Sequence, residues 1–255
     1  MNQAPKKNLI ISPVGADKSC HKTWIAGQRS FDLMLVNYGD VPGRYREDAQ
    51  YYFEIKGFKL EILKKAAQAH REIVNRYDAV WLPDDDLLIH TSEINKMFEI
   101  FHAYELDIAQ PSIKNNFLSH PVLKRCFWTR LRYVSFIEMM CPLFSKESLS
   151  EVLPIFDLTR SGWGIDILWS SLLKNKRMAV IDQVGVVHTK PYSPDNLYYR
   201  KLHELGIDPG TEQRSIEEKY NIHRDYSIKK MEFYSYFHSW AQPFLKFLYR
   251  MPDRY

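Results

Sequence analysis

The chain has 255 residues, 45% of them hydrophobic and 26% charged, which is apolar material for one large α/β domain or two small ones. Its formal charge of +4 comes from Lys and Arg scattered along the sequence, so there is no basic arm or stripe and nucleic acid is excluded as the expected partner. The three cysteines, Cys20, Cys126 and Cys141, are odd in number and lack CxxC spacing; they exclude a zinc knuckle or a disulfide framework and fit a reducing, cytoplasmic setting.

Near the start, lysines precede only five apolar or small positions, 9–13, too few for a secretory leader, and no later run approaches a membrane span. Residues 9–14 read as a continuous buried strand that opens into a glycine turn at Gly15. A partly helical stretch is expected over 20–30, a second strand over 31–36, and a helix over 57–76 from the spacing of Leu60, Leu63, Ala67, His70, Ile73 and Val74. Residues 79–82 form the next short strand, and three consecutive carboxylates follow it. Thr91 or Ser92 can then cap a helix that turns Ile94, Met97, Phe98 and Phe101 to one face. Further strands are expected over 107–112, 133–144, 178–181 and 184–187. Helices are expected after Ser145, which can cap one, and over 165–173. This alternation of strand and helix predicts an α/β fold with a mainly parallel sheet.

From residue 192 the sequence turns polar and Tyr-rich, with helices near 195–205, ended by Gly206, and near 211–220. Residues 231–251 concentrate Phe233, Tyr234, Trp240, Phe244 and Phe247 beside Lys246 and Arg250. Two readings fit them: a helix docked on the rest of the chain, or a peripheral membrane or subunit contact.

Asp84, Asp85 and Asp86 are poor material for a core, because a buried unpaired carboxylate costs several kcal/mol, roughly. They could form a solvated turn. Their position at the carboxyl end of a strand, where open α/β sheets gather ligands, favours a site instead. Oxygen ligands of this kind suit Mg²⁺ or Mn²⁺, and such ions share their coordination with substrate phosphates, so a diphosphate is the natural partner. His188 leaves an apolar strand before Thr-Lys-Pro; it is either a hydrogen-bonding residue or a nitrogen ligand for Mn²⁺. In Gly162-Trp163-Gly164-Ile165-Asp166, the acid could simply complement a helix dipole. Alternatively, Trp163 stacks on a sugar, the glycines let it approach the backbone, and Asp166 takes a proton from an attacking hydroxyl.

Taken in order, segments 31–40, 77–87, 108–111, 134–144 and 162–166 resemble the GT-A class of nucleotide-sugar glycosyltransferases, and more closely the glycosyltransferase-like proteins known as DUF707. The likeness covers residues 8–190. It implies a GT-A, Rossmann-like mixed sheet flanked by helices, a catalytic domain over 1–191 and a helical, Tyr-rich C-terminal extension over 192–255 packed on it. By the same resemblance the triplet is a DxD motif, with Asp86 and Asp84 on the metal, His188 a late metal ligand, and Asp84 or Asp85 near the ribose. Pro13, Val14, Gly15 and Asp40 would hold the base and ribose, with Lys59 or Lys56 close by. Asp166 would be the base of an inverting transfer, and Gly162, Trp163 and Gly164 would meet the acceptor.

The expected activity is therefore transfer of a sugar from a nucleoside diphosphate-sugar to a hydroxyl of a glycan or lipid-linked acceptor, with Mn²⁺ or Mg²⁺. The setting expected for it is the cytoplasm, with a possible peripheral membrane contact. A nucleotidyltransferase and a non-catalytic sugar- or nucleotide-binding protein of the same fold are the alternatives. The glycine turn after residue 14 is only a faint version of a nucleotidyltransferase signature.

Overall fold

The computed structural model describes residues 7–15, 19–190 and 197–234. Strands β1 (Asn8–Val14), β2 (Asp32–Asn37), β3 (Tyr51–Glu54) and β4 (Ala79–Trp81) form a parallel half-sheet in the order β4-β1-β2-β3. Crossovers are made by α1 (His21–Trp24) and by α2 (Lys59–Ala69) with α3 (Arg71–Val74). β1 is buried along its whole length because it has a neighbour on each side and helices on its faces, which is why its sequence is a continuous apolar run. Pro13 lies past the last β1 residue paired to β4, so its missing N–H leaves no gap in that ladder.

β5 (Leu87–Leu88), α4 (Thr91–Ala103) and β6 (Ile108–Ile113) lead into the second half, made of β7 (Thr129–Val134), β8 (Leu143–Ser145), α5 (Lys146–Val152), α6 (Ile165–Leu172) and β9 (Met178–His188). The full order is β10-β7-β9-β6-β8-β4-β1-β2-β3, after α7 (Leu197–Glu204), α8 (Pro209–Tyr220) and β10 (Ile228–Phe233), with β5 pairing β9 outside this path. β8 runs antiparallel between β4 and β6 and joins the halves. The expected mixed α/β sheet flanked by helices is therefore what forms. Its core holds Trp24 against Trp81 at 5.6 Å and Trp169 against Phe144 at 5.5 Å, each ring worth about 2 kcal/mol in burial.

Several boundaries differ from the sequence expectation. Residues 20–30 hold a single helical turn, α1, and the helix expected over 57–76 breaks at His70 into α2 and α3. His90 precedes α4, with Glu93 reaching back to its N–H at 3.5 Å; the Thr91 hydroxyl instead accepts the Gly27 N–H at 2.9 Å. The strand expected over 133–144 is two strands separated by irregular residues 135–142, and the two expected at 178–187 are one strand whose register against β6 shifts after Pro111. β3, with half-exposed Tyr51, Tyr52 and Phe53, was not foreseen. Met231 to Phe233, expected to be helical, are strand, since β10 completes the sheet edge against β7; the rest of the aromatic stretch, from 235, lies outside the described residues. Among the described residues, no helix is long and apolar enough to cross a membrane.

Arg132 on β7 and Asp182 on β9 are each 1% exposed and meet at 2.7 and 2.9 Å. Asp182 also accepts from Thr129 Oγ1 and the Cys126 N–H, and Arg132 donates to the carbonyls of Val122 and Lys124, so nearly every polar atom of the pair is matched. Removing one partner strands the other's charge. Asp182→Ala is expected to lower unfolding stability by about 3–5 kcal/mol, measured from urea midpoints.

Candidate active site

β4 delivers the chain to the acidic triplet, and backbone contacts then fix each residue of it. Leu82 N–H donates to Pro142 O at 2.8 Å and Asp84 N–H to Met140 O at 2.9 Å, while Pro83 O accepts the Ser12 hydroxyl. Asp85 O accepts the Cys20 N–H at 2.6 Å. Asp86 O accepts both the N–H and the hydroxyl of Thr189, at 3.0 and 2.7 Å. The short pairing of Leu87 with His188 is what brings β9's end, distant in sequence, against the triplet.

The three side chains then diverge into different surroundings. Asp84 Oδ1 meets Lys59 Nζ at 2.7 Å, and the same ammonium donates to the carbonyls of Met139 at 2.5 Å and Met140 at 2.9 Å. Burial pushes the Asp84 carboxyl up despite that lysine. Asp85 is 7% exposed; burial raises it to about 7, opposed by Lys190 and by the Gly15 N–H that donates to it. Burial opposes ionisation of Asp86 as well, but there the His188 hydrogen bond and the Lys190 and Lys59 charges win and hold it below the usual carboxylate range. His188 Nε2 stands 3.6 Å from Asp86 Oδ2 and Lys190 Nζ 3.8 Å from the same oxygen, with His188 Nδ1 on the Phe117 carbonyl at 3.1 Å. Burial disfavours the imidazolium, yet the Asp86 contact outweighs it and raises His188.

Asp85 Oδ2 and Asp86 Oδ1 are buried and find no hydrogen-bond partner among the described residues. Hard oxygens left open in this way fit a divalent cation chemically. Geometrically the expected set of Asp84, Asp86 and His188 is not gathered: among the described residues no three His, Cys, Asp or Glu side chains are grouped to hold a metal, because Asp84 turns to Lys59.

Asp166 sits in the first turn of α6, where its Oδ1 accepts the Ile167 N–H at 2.9 Å and its Oδ2 the Met139 N–H at 3.5 Å. Burial raises it to about 7, with the nearby Glu138 charge adding to the rise. Residues 139 and 140 thus link the two acidic groups: Lys59 takes their carbonyls on the Asp84 side and Asp166 takes the Met139 N–H on the other. Glu138 and Gln110, both buried, complete this floor, and the Glu138 N–H donates to Gln110 Oε1 at 2.8 Å. The sequence reading passed over both. A lone acid inside Phe136-Ile137-Glu138-Met139-Met140 was the available signal.

The other expected residues fall around this floor. Gly15 lies so close to Gly39 and Tyr38 that a Cβ would come within 2.8 Å of the Gly39 nitrogen, so the loops after β1 and β2 touch. Pro13 and Val14 pair with Val36 and Asn37 in β2. Asp40 is fully exposed and bound to Lys56 at 2.7 Å; of the two lysines considered, Lys59 faces the triplet and Lys56 faces Asp40. Gly162 and Gly164 adopt φ of +77° and +85°, which accounts for both glycines. Protein fills the space beside them, Met139 at Gly162 and the α8 backbone at Gly164. Trp163 is half-buried, 6.4 Å edge-on from Tyr199 of α7, while Tyr198 donates to Ser161 O at 2.6 Å.

No family model matches the sequence, and no curated protein matches it. In structure the chain is similar to TarS of S. aureus, with a TM-score of 0.52 at 13% identity, over 85% of this chain and 43% of that one. It is similar also to TarS 1–349 in complex with UDP (TM-score 0.51, 12% identity, 85% and 71% covered) and in complex with UDP-GlcNAc (0.51, 11%, 85% and 72%). The chain therefore spans less than half of the first of these structures. The likeness is one of fold.

A carboxyl raised on folding from 3.8 to about 7 favours the folded state at low pH, and that contribution is lost as the pH rises through the interval. Asp166→Asn keeps an acceptor for the Ile167 N–H and removes the charge. Its stability is expected to match wild type near pH 4 and to exceed it by about 1–3 kcal/mol near pH 8, measured by urea unfolding at both.

Proposed function

We propose that the chain is a glycosyltransferase that moves a sugar from a nucleoside diphosphate-sugar to a hydroxyl of a glycan or lipid-linked acceptor. One observation carries the reading: a triplet of acids ringed by Lys59, His188 and Lys190 shares its floor with a separate, protonatable acid, Asp166. The first group suits a diphosphate and the second a hydroxyl. The fold shared with TarS, solved with UDP and with UDP-GlcNAc, supports a uridine nucleotide as the first donor to try. The ordered motifs support a place near the DUF707 proteins.

In this reading Pro13, Val14, Gly15 and Asp40 line the base and ribose end. Asp86, with Asp84 or Asp85 and His188, would hold Mn²⁺ or Mg²⁺, which when bound supplies positive charge to the leaving diphosphate. Lys59 and Lys190 place fixed positive charge at the same end. Asp166, balanced near neutrality, accepts the proton of the acceptor hydroxyl as its oxygen attacks the anomeric carbon and the bond to the phosphate oxygen breaks. Attack from the face opposite the diphosphate inverts the anomeric centre. Trp163 and Tyr199 offer ring faces at the acceptor end.

The test is release of nucleoside diphosphate from a panel of UDP- and GDP-sugars, with Mn²⁺, with Mg²⁺ and with chelator. Asp166→Asn is expected to lower turnover by about 10²–10⁴-fold with donor affinity intact. Asp86→Ala is expected to lose metal-dependent donor binding. Absence of release from every donor, with pyrophosphate formed from nucleoside triphosphates, would sink the reading in favour of nucleotidyl transfer.

A further inference from the structure

We propose that Glu138 is the residue that binds the donor's sugar ring, its carboxylate accepting hydrogen bonds from pyranose hydroxyls. The assignment rests on the glycosyltransferase reading and names the group within that site that reads the sugar.

Glu138 is 8% exposed, yet its Oε2 has no hydrogen-bond partner among the described residues. The Ser119 hydroxyl serves the carboxylate, but it leaves that second oxygen bare. Asp84 has Lys59 and Asp166 has two backbone N–H groups, while the bare oxygens of Asp85 and Asp86 belong to carboxylates that feel the Lys190 charge. A bare buried acceptor costs about 1–3 kcal/mol, and such a group is explained when a ligand brings the missing donor.

The segment that carries it is irregular but firmly held. Ile137 N–H donates to Ser170 Oγ, and the Ile137 carbonyl accepts Trp169 Nε1 at 2.8 Å. Glu138 N–H is on Gln110, Lys59 grips the next two carbonyls, and Trp81 Nε1 donates to Cys141 O at 2.9 Å. A carboxylate mounted on so constrained a backbone is placed to select among geometries.

Position and chemistry point to the same target. Glu138 immediately precedes Met139, whose carbonyl meets the Lys59 that holds Asp84 and whose N–H meets Asp166, so it lies between the two acidic groups, where the proposed function puts the transferred ring. Burial raises the Glu138 carboxyl above its ordinary value, and in either protonation state its bare oxygen is open to a hydrogen bond from a hydroxyl. A bare acceptor needs a donor, which a sugar hydroxyl carries and an ionised diphosphate oxygen does not, so it is aimed at the sugar and not at the diphosphate.

The experiment is calorimetric titration of wild type, Glu138→Gln and Glu138→Ala with UDP, UDP-GlcNAc, UDP-glucose and UDP-galactose, and with GDP and GDP-mannose. Melting curves accompany each variant, and Glu138→Gln preserves shape where Glu138→Ala fails to fold. Both variants are expected to bind the bare diphosphate within about 2-fold of wild type and the sugar nucleotide about 10- to 100-fold more weakly. Removing the contacted hydroxyl with monodeoxy donors is expected to weaken wild type and leave Glu138→Ala unchanged. Equal sugar-nucleotide affinity in Glu138→Gln and wild type, or a parallel loss for diphosphate and sugar nucleotide, overturns the assignment. Wild type that binds none of these compounds overturns the glycosyltransferase reading itself, and this assignment with it.

Discussion

The ammonium of Lys59 is the contact on which the site's arrangement depends. Five carboxylates, Asp84, Asp85, Asp86, Glu138 and Asp166, gather near the ends of β4 and α6, and charges of one sign in a half-buried place repel one another. Lys59 opposes that repulsion from a fixed point, since it touches Asp84 and two successive carbonyls of the 135–142 segment. A lysine as the first residue of a helix is disfavoured by the helix dipole. Its place there is explained by these tertiary partners, which tie α2, the triplet and the floor into one unit.

Environment then separates acids that are chemically alike. Asp86, with an imidazole and two lysines near it, keeps its charge, whereas Asp85, where the Lys190 charge and the Gly15 N–H do not offset burial, and Asp166, served by backbone N–H groups, are driven toward neutral values. Under the proposed function, the same split gives one end of the floor the charge to hold a cation and the other an acid that can exchange a proton. No covalent novelty is needed for this division, only unequal burial and unequal partners.

The C-terminal elements belong to the same construction. α8 packs its backbone against Gly164, Tyr198 of α7 holds Ser161, and the Glu212 carboxylate accepts the N–H groups of Arg160 and Ser161. These contacts fix the loop that precedes Asp166. β10 extends the sheet at its far edge, so residues 197–234 both brace the loop before Asp166 and lengthen the sheet.

What the sequence determined by itself was local or periodic. The apolar run of β1, the helical spacing in α2 and α4 and the Ser145 cap, which accepts the Ser148 N–H, were legible because each depends on neighbours within a few residues. The acidic triplet stood out as a candidate site because three adjacent charges at a strand end have no bland place in a core. Tertiary structure alone decided the rest. β3 and β10 are edge strands whose half-exposed residues carry no clear period, and 135–142 reads like a strand while its backbone is claimed by Ser170, Gln110, Lys59 and Trp81. Which carboxylate meets a cation, which is left bare and which is pushed toward neutrality depended on pairings such as Leu87 with His188 and Lys59 with Asp84, made between residues distant in the chain. Periodicity reports the face a residue prefers, but it is silent on what waits across the fold, and charge responds to what is there.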